Sequence, residues 1–211
     1  MAESSLHGRH AGDAQRSAEL IRDAALKLFT ARGAEATSLR MVASAAGVSL
    51  GLVQHHFGTK AGLIQAVDDH VTAVLTAALS AAVAPPPADP VAVMGERVIA
   101  LIAEHLDVLD YLARALVDDR PFGQVVFDTL AGMGTDRWDQ YRQRGRTRPD
   151  LDPTWAGLNT LILALGALIL RPHIDRHLPE PFTTDAQLYR WAQSVNTLIR
   201  TGQMRSSQNP P

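Results

Sequence analysis

The sequence predicts an all-α protein: a small N-terminal three-helix domain carrying a helix-turn-helix, then a larger C-terminal helical domain. Three observations predict it. Apolar residues recur with the 3.6-residue helical period and nowhere alternate as in a strand. Alanine and leucine dominate while β-branched residues are thin. Glycines and prolines break the chain at helix-length intervals. With 211 residues, 46% of them hydrophobic, there is material for a core in one or two domains.

The first residues are polar with no apolar h-region, so a signal peptide is not expected, and residues 1–15 read as a disordered arm. Helix one follows from about Ser17 to Arg32, with Leu20, Ile21, Ala24, Ala25, Leu28 and Phe29 on one stripe and Gly33 as its stop. Ser38 is the N-cap expected for a short helix two, Leu39 to Ala46, which Gly47 ends. Ser49 caps helix three, from Leu50 to about His56, with Val53 inward and Phe57 closing the corner. Helix four starts at Lys60 and runs to about residue 84, where Pro85 to Pro87 stop it. The periodicity predicts further helices at about 90–109, 111–118, 122–144, 152–177 and 185–203. Asp89-Pro90 and Asp152-Pro153 are cap-plus-proline starts, and Pro172 is a kink point. The domains are thus expected at 16–71, with helix four linking, and at 85–205, leaving 206–211 as a frayed tail.

Composition removes several function classes. There is no cysteine, hence no disulfide or thiolate zinc site, which fits a reducing cytoplasm. The longest apolar run, Trp155 to Leu170, contains Asn159 and Thr160 and falls short of the roughly 18–20 residues of a membrane span. No nucleophile elbow, phosphate loop, metal cluster or placed carboxylate pair is present, so neither an enzyme nor a cofactor is expected; a helical enzyme is the remote alternative. His173 and His177 flank Asp175 at a metal-compatible spacing, but Pro172 and Pro179 crowd them and no third ligand is evident. The run Arg137, Arg142, Arg144, Arg146 and Arg148 reads as a solvated helix end.

Chemistry concentrates in GVSLGLVQHHFGTKAGL, residues 47–63. A helix this short is unstable alone and must be braced by helices one and two. Two short helices about a glycine turn form a helix-turn-helix, whose second helix lies in the major groove. Its outward set is Leu50, Gly51, Leu52, Gln54, His55 and His56, followed by Lys60. Gln54 can pair with an adenine edge, imidazoles can donate to phosphate or base acceptors, and Leu52 can meet a thymine methyl. Gly51 lets backbone approach the duplex. Thr37, Ser38 and the first N–H groups of helix two suit phosphate, and Arg40 and Lys60 add positive charge. The net charge is −2, yet no acidic residue occurs from Thr37 to Lys60.

The stretch from Arg16 to Val71, with AALKLF, Gly33, Thr37-Ser38, Val42-Ala43, AAGVS, Gly51, HHF and Lys60 before Leu63, resembles the DNA-binding domain of the TetR/AcrR family of transcriptional regulators. The resemblance implies a repressor that binds double-stranded palindromic operator DNA as a homodimer and is released by a small-molecule effector. Control by a protein partner, or activation, is the alternative. It implies DNA contacts from Thr37, Ser38, Arg40, Leu50, Gly51, Leu52, Gln54, His55, His56 and Lys60. The sequence departs from the pattern in two places: Gln54 stands where the family usually has tyrosine, and Ala61-Gly62 replace a common glutamate. The family arrangement also implies a four-helix dimer interface from two late helices. Here these would supply Leu158, Leu161, Ile162, Leu165 and Ile169, and Leu188, Ala192, Val195, Leu198 and Ile199. The effector pocket would lie among the middle helices. Its candidate lining is Tyr111, Phe122, Phe127, Met133, Trp138 and Trp155, with His105, Arg114 and Asp128 as polar anchors.

Overall fold

The computed structural model describes residues 2–80 and 89–205. The chain is all-α: among the described residues there is no strand, only an isolated bridge between Thr147 and Met204. It divides into two compact units, Met1–Ala73 and Val74–Pro211. The expected end of helix four, the triple proline and the tail lie outside the described residues.

In the first unit, α1 (Ala2–Arg32) packs on α2 (Leu39–Ala46) and α3 (Leu50–Phe57), and α4 (Lys60–Leu79) begins there and runs past its boundary. The helix of α1 runs through the stretch read as a disordered arm. That stretch contains no proline, so nothing covalent stops the helix from extending toward Ala2. Ile21, Ala25, Leu26, Phe29, Val42, Val53, Leu63 and Val67 form the buried core, whereas Leu20 is 53% exposed and leaves the stripe assigned to it.

Local chemistry sets the bounds of these helices. Ser38 and Ser49 have extended backbones, and their Oγ atoms accept from Met41 N and Leu52 N at 3.3 and 3.1 Å. Gly47, at φ 68°, returns its N–H to the last turn of α2. The start of α4 lacks the capping-box glutamate but keeps a cap, since Thr59 Oγ1 accepts from Gly62 N at 3.1 Å.

The second unit contains α5 (Pro90–Glu104), α6 (Leu106–Val117), α7 (Pro121–Gln143), α8 (Pro153–Ile169), α9 (Arg171–Ile174), a 3-10 turn (Asp175–His177) and α10 (Asp185–Gln203). Here α7 packs along α8, and α5 along α10. Two expectations change. The helix expected over 90–109 breaks at His105, whose backbone leaves the helical region at φ −133° and ψ 42°. The helix expected over 152–177 ends at Ile169 and turns by 67° into α9. Pro172 lacks the N–H that would bond back to Leu168, and its ring clashes with that carbonyl. Arg171 holds the bend to α6 through Asp110 at 2.9 Å. Among the described residues no single helix is long and apolar enough to cross a membrane; the α8–α9 pair passes on length and composition only across its bend.

Asp89 caps α5, its Oδ1 accepting from Val91 N at 2.9 Å, and its Oδ2 accepts from Arg200 Nε at 2.8 Å. Partial burial raises its pKa, but the Arg200 hydrogen bond and charge and the backbone N–H groups outweigh this and hold the carboxyl below its ordinary value. A carboxylate with a lowered folded-state pKa stabilises the fold above its unfolded value, and the contribution fades as pH falls through the folded one. Asp89→Ala should therefore cost about 1 kcal/mol at pH 7, mostly from the lost cap. In thermal melts the gap from wild type should close as the pH falls below about 4.

Candidate nucleic-acid interface and interior cavity

The turn between α2 and α3 points one face of α3 outward. Val53 is wholly buried, while Gly51, Gln54 and His55 are exposed and Leu50 and Leu52 half-exposed. Ser38 and Arg40 are exposed at the start of α2. A Cβ at Gly51 would meet only Ser49 Oγ, at 3.8 Å, so internal packing does not require glycine there. A bare backbone on an exposed helical face suits close approach of a large partner.

Three of the residues assigned to this face sit differently. Thr37 is 1% exposed, and its Oγ1 donates to Gly33 O at 2.9 Å; it ties the end of α1 to the start of α2 and presents no hydroxyl to solvent. His56 is half-buried beside Phe57, at 6.1 Å between ring centroids, and its Nε2 is buried with no hydrogen-bond partner. Lys60 Nζ donates to Glu35 O at 2.8 Å, which holds the first residue of α4 against the α1–α2 connection. An ammonium has three donors, so the other two remain for a phosphate.

In the second unit, α5, α7, α8 and α10 enclose a cavity of about 80 Å³. Trp138, Trp191, Val98 and Val195 give it apolar walls, and Arg137, Tyr141, Thr160 and Asn196 are its polar lining. A neighbouring cavity of about 130 Å³ shares Arg137, Trp138 and Thr160 with it and reaches Met133 and Leu161. Arg137 donates through Nη2 to Leu79 O at 2.8 Å, at the last residue of α4. Burial raises the Tyr141 phenol above its usual pKa, with Arg137 and Arg146 pulling the other way, so Tyr141 is a neutral hydroxyl at physiological pH.

Of the nine residues assigned to a pocket, Trp138 and Met133 line these cavities and the other seven lie elsewhere. Tyr111 is 1% exposed, 5.6 Å from Phe122 between ring centroids and under Arg120 at 5.2 Å; both rings are packing between α6 and α7. Arg114 pairs with Asp118 at 3.1 Å. Phe127 and Asp128 line a shallow depression with Asp119 and Arg120, His105 lines another with Arg97 and Glu104, and Trp155 is 57% exposed. Sequence reasoning missed Met94 and Val98 on α5, Ala164 on α8, and Trp191 and Asn196 on α10.

The assigned dimer residues divide in a similar way. Leu165, Leu188, Ala192 and Ile199 are already buried within the single chain, so they are core. Leu158, Leu161, Ile169 and Val195 are half-buried, with Leu161 and Val195 on the cavities. Only Ile162 and Leu198 are exposed, and they are joined on the same two helices by Trp155, Leu163 and Tyr189. Helix α8 is apolar on nearly every side, so its period could not say which side faces inward. At the α8–α9 bend, His173 Nδ1 contacts Arg176 and Asp175 Oδ1 accepts from Phe182 N at 2.7 Å, so that carboxylate serves the turn.

An α3 anchored by one buried valine and bare on its polar side, on an otherwise all-helical chain, defines a helix-turn-helix protein. Residues 21–67 match the family model for bacterial regulatory proteins of the tetR family. Those residues, α2 and α3 among them, are thus similar to the N-terminal domain of the TetR family. It is 32% identical to the transcriptional regulatory protein RaaS of Mycobacterium tuberculosis over 143 residues, 65% of each chain. It is 43% identical to the repressor Rv3405c of the same organism over 109 residues, 51% of this chain and 50% of that one. The chain thus spans a little under two thirds of RaaS and half of Rv3405c. In fold it resembles SmeT, repressor of a Stenotrophomonas maltophilia multidrug efflux pump, at a TM-score of 0.69 and 21% identity over 94% of this chain and 96% of that one.

Proposed function

We propose that the chain is a transcriptional repressor that binds a palindromic operator in double-stranded DNA as a homodimer, in the cytoplasm, and is released by a small-molecule effector. The observation that carries the reading is α3: Val53 is its buried anchor, and Gly51, Gln54 and His55 stand exposed in a segment without acidic residues. Ser38, Arg40 and Lys60 supply phosphate contacts, which position the domain, and Gln54 and His55 reach base edges, which specify it. Thr37 and His56 support this surface from behind.

The effector enters the cavity among α5, α7, α8 and α10. Arg137 lines that cavity and bonds the final carbonyl of α4, the helix that begins at Lys60. An occupant that shifts Arg137 therefore acts on α4 directly. Half-sites roughly 34 Å apart tolerate little change in the separation of two recognition helices. To lower operator affinity tenfold, the effector must favour the DNA-incompetent state by about 1.4 kcal/mol. The same molecule found in complex with SmeT, triclosan, is a reasonable first compound to try.

Footprinting of the DNA flanking the gene, with and without candidate compounds, tests the reading. A two-fold symmetric protected site that the effector clears is the expected result. Lys60→Ala should weaken operator and random DNA alike and lower the salt slope by about 1, whereas Gln54→Ala should change sequence preference. Unaltered binding by both variants would remove α3 and Lys60 from the interface. Stimulated transcription from the bound site would replace repressor with activator.

A further inference from the structure

We propose that Asn196 reads the occupant of the α5–α7–α8–α10 cavity, and that the cavity selects an aromatic compound with one oxygen-bearing head (carboxylate, hydroxyl or carbonyl) over an amine cation. This rests on the effector reading for its biological sense, though binding can be measured without DNA.

Asn196 is 6% exposed and lines the cavity, and among the described residues its side-chain amide makes no hydrogen bond. An amide has two donors and an acceptor, and neither Nδ2 nor Oδ1 of Asn196 is among the fully buried atoms left without a partner, so both can be reached from the cavity. Nearby polar groups on the wall are engaged: Thr160 Oγ1 donates to Ala156 O, and Arg137 to Leu79 O. Asn196 is therefore the lining group best placed to bond an incoming head. Gly95 on the facing helix makes room for it. A Cβ there would lie 2.7 Å from Asn196 Nδ2 and 2.9 Å from Oδ1, so any side chain at 95 displaces the amide.

Shape and charge give the rest of the class. The two cavities, about 80 and 130 Å³, share a wall of Arg137, Trp138 and Thr160. A cavity of roughly 150 Å³ holds one benzene ring, so voids on this scale suit a ligand of one small ring with a short chain. Trp138 and Trp191 offer faces and edges to that ring. Among the described residues no carboxylate lines either cavity, and Arg137 is the one charged residue on both walls. An ammonium would enter without a counter-charge and opposite a guanidinium. An oxygen head accepts from Asn196 Nδ2, and a hydroxyl can also donate to Oδ1.

The test is calorimetry of the purified full chain with four matched probes: 3-phenylpropionate, 3-phenylpropanol, 3-phenylpropylammonium and propylbenzene. The acid and the alcohol should bind at least tenfold tighter than the ammonium. Asn196→Leu should cost the oxygen-headed probes roughly tenfold, the upper end for one neutral hydrogen bond, and leave propylbenzene unchanged. Because a leucine could disturb the core, Asn196→Asp serves as a second variant of nearly the same shape, and it should shift preference toward the ammonium. Circular dichroism confirms that each variant is folded. Equal binding of ammonium and acid, binding by none of the probes, or folded Asn196 variants with the wild-type order of preference would each overturn the assignment. If the probes bind in the expected order but none releases operator DNA, the cavity assignment stands and the effector reading fails.

Discussion

In the proposed homodimer, Ile162→Arg is expected to separate the two chains and to lower apparent affinity for the proposed operator by roughly 10²–10⁴-fold, the advantage of linking two binding modules. Ile162 is 51% exposed on a helix whose other sides are buried, and Trp155, about two turns away on the same side, is 57% exposed. Leu163 extends this stripe, and a Cβ at Gly166, one turn on, would meet nothing within 4 Å. Large exposed apolar groups beside a bare glycine are what a helix presents when a second helix is to lie close against it. Tyr189 and Leu198 add exposed apolar surface on α10.

In a two-fold interface each substitution occurs twice, so an arginine at 162 places two like charges in a contact meant to be dry. Light scattering would report the mass and a gel shift the affinity. A variant that remains a dimer with unaltered binding would remove this stripe from the interface. Loss of affinity with the dimer intact would place the effect elsewhere.

What could be read from the sequence was what neighbouring residues determine. The bounds of α2 and α3 follow from Ser38, Gly47 and Ser49, because a hydroxyl cap and a left-handed glycine act within one turn. Asp89 and Asp152 announce α5 and α8 for the same reason. The break at His105 could not be read. No glycine or proline marks it, and the apolar period runs on through Leu101, Ile102, Val108 and Leu109. Thr37 has the right chemistry for phosphate, but only the packed domain shows that its hydroxyl is spent on Gly33 O. The cavity was least legible. It is assembled from four helices, and its polar reader, Asn196, stands a hundred residues from the glycine that accommodates it. The aromatics chosen instead were reasonable by type, but Tyr111 and Phe122 pair with each other and Trp155 faces outward.

Gly157→Val is expected to destabilise the second unit by about 1–3 kcal/mol or more, the usual cost of overpacking a tight contact. At Gly157 α8 lies against the backbone of α7: a Cβ would be 3.0 Å from Thr135 N and 3.1 Å from Gly134 C. Facing it, a Cβ at Gly134 would be 3.4 Å from Gly157 Cα. The opposing atoms are backbone, so no side chain can rotate away, and relief requires α7 and α8 to separate. Separation would open the wall formed by Trp138, which is packed edge-to-face on Tyr141 at 5.4 Å. Glycine otherwise costs a helix about 1 kcal/mol relative to alanine, so its presence at 157 is explained by contact and not by propensity. Gly132 provides the contrast. It lies in the same α7, and a Cβ there would meet nothing within 4 Å. Gly132→Ala should therefore raise the melting temperature, by up to about 1 kcal/mol of added stability, while Gly157→Val lowers it. Chemical denaturation of both variants would decide the matter. If the two changes shift the midpoint in the same direction, the glycine pair is not what sets the spacing of α7 and α8.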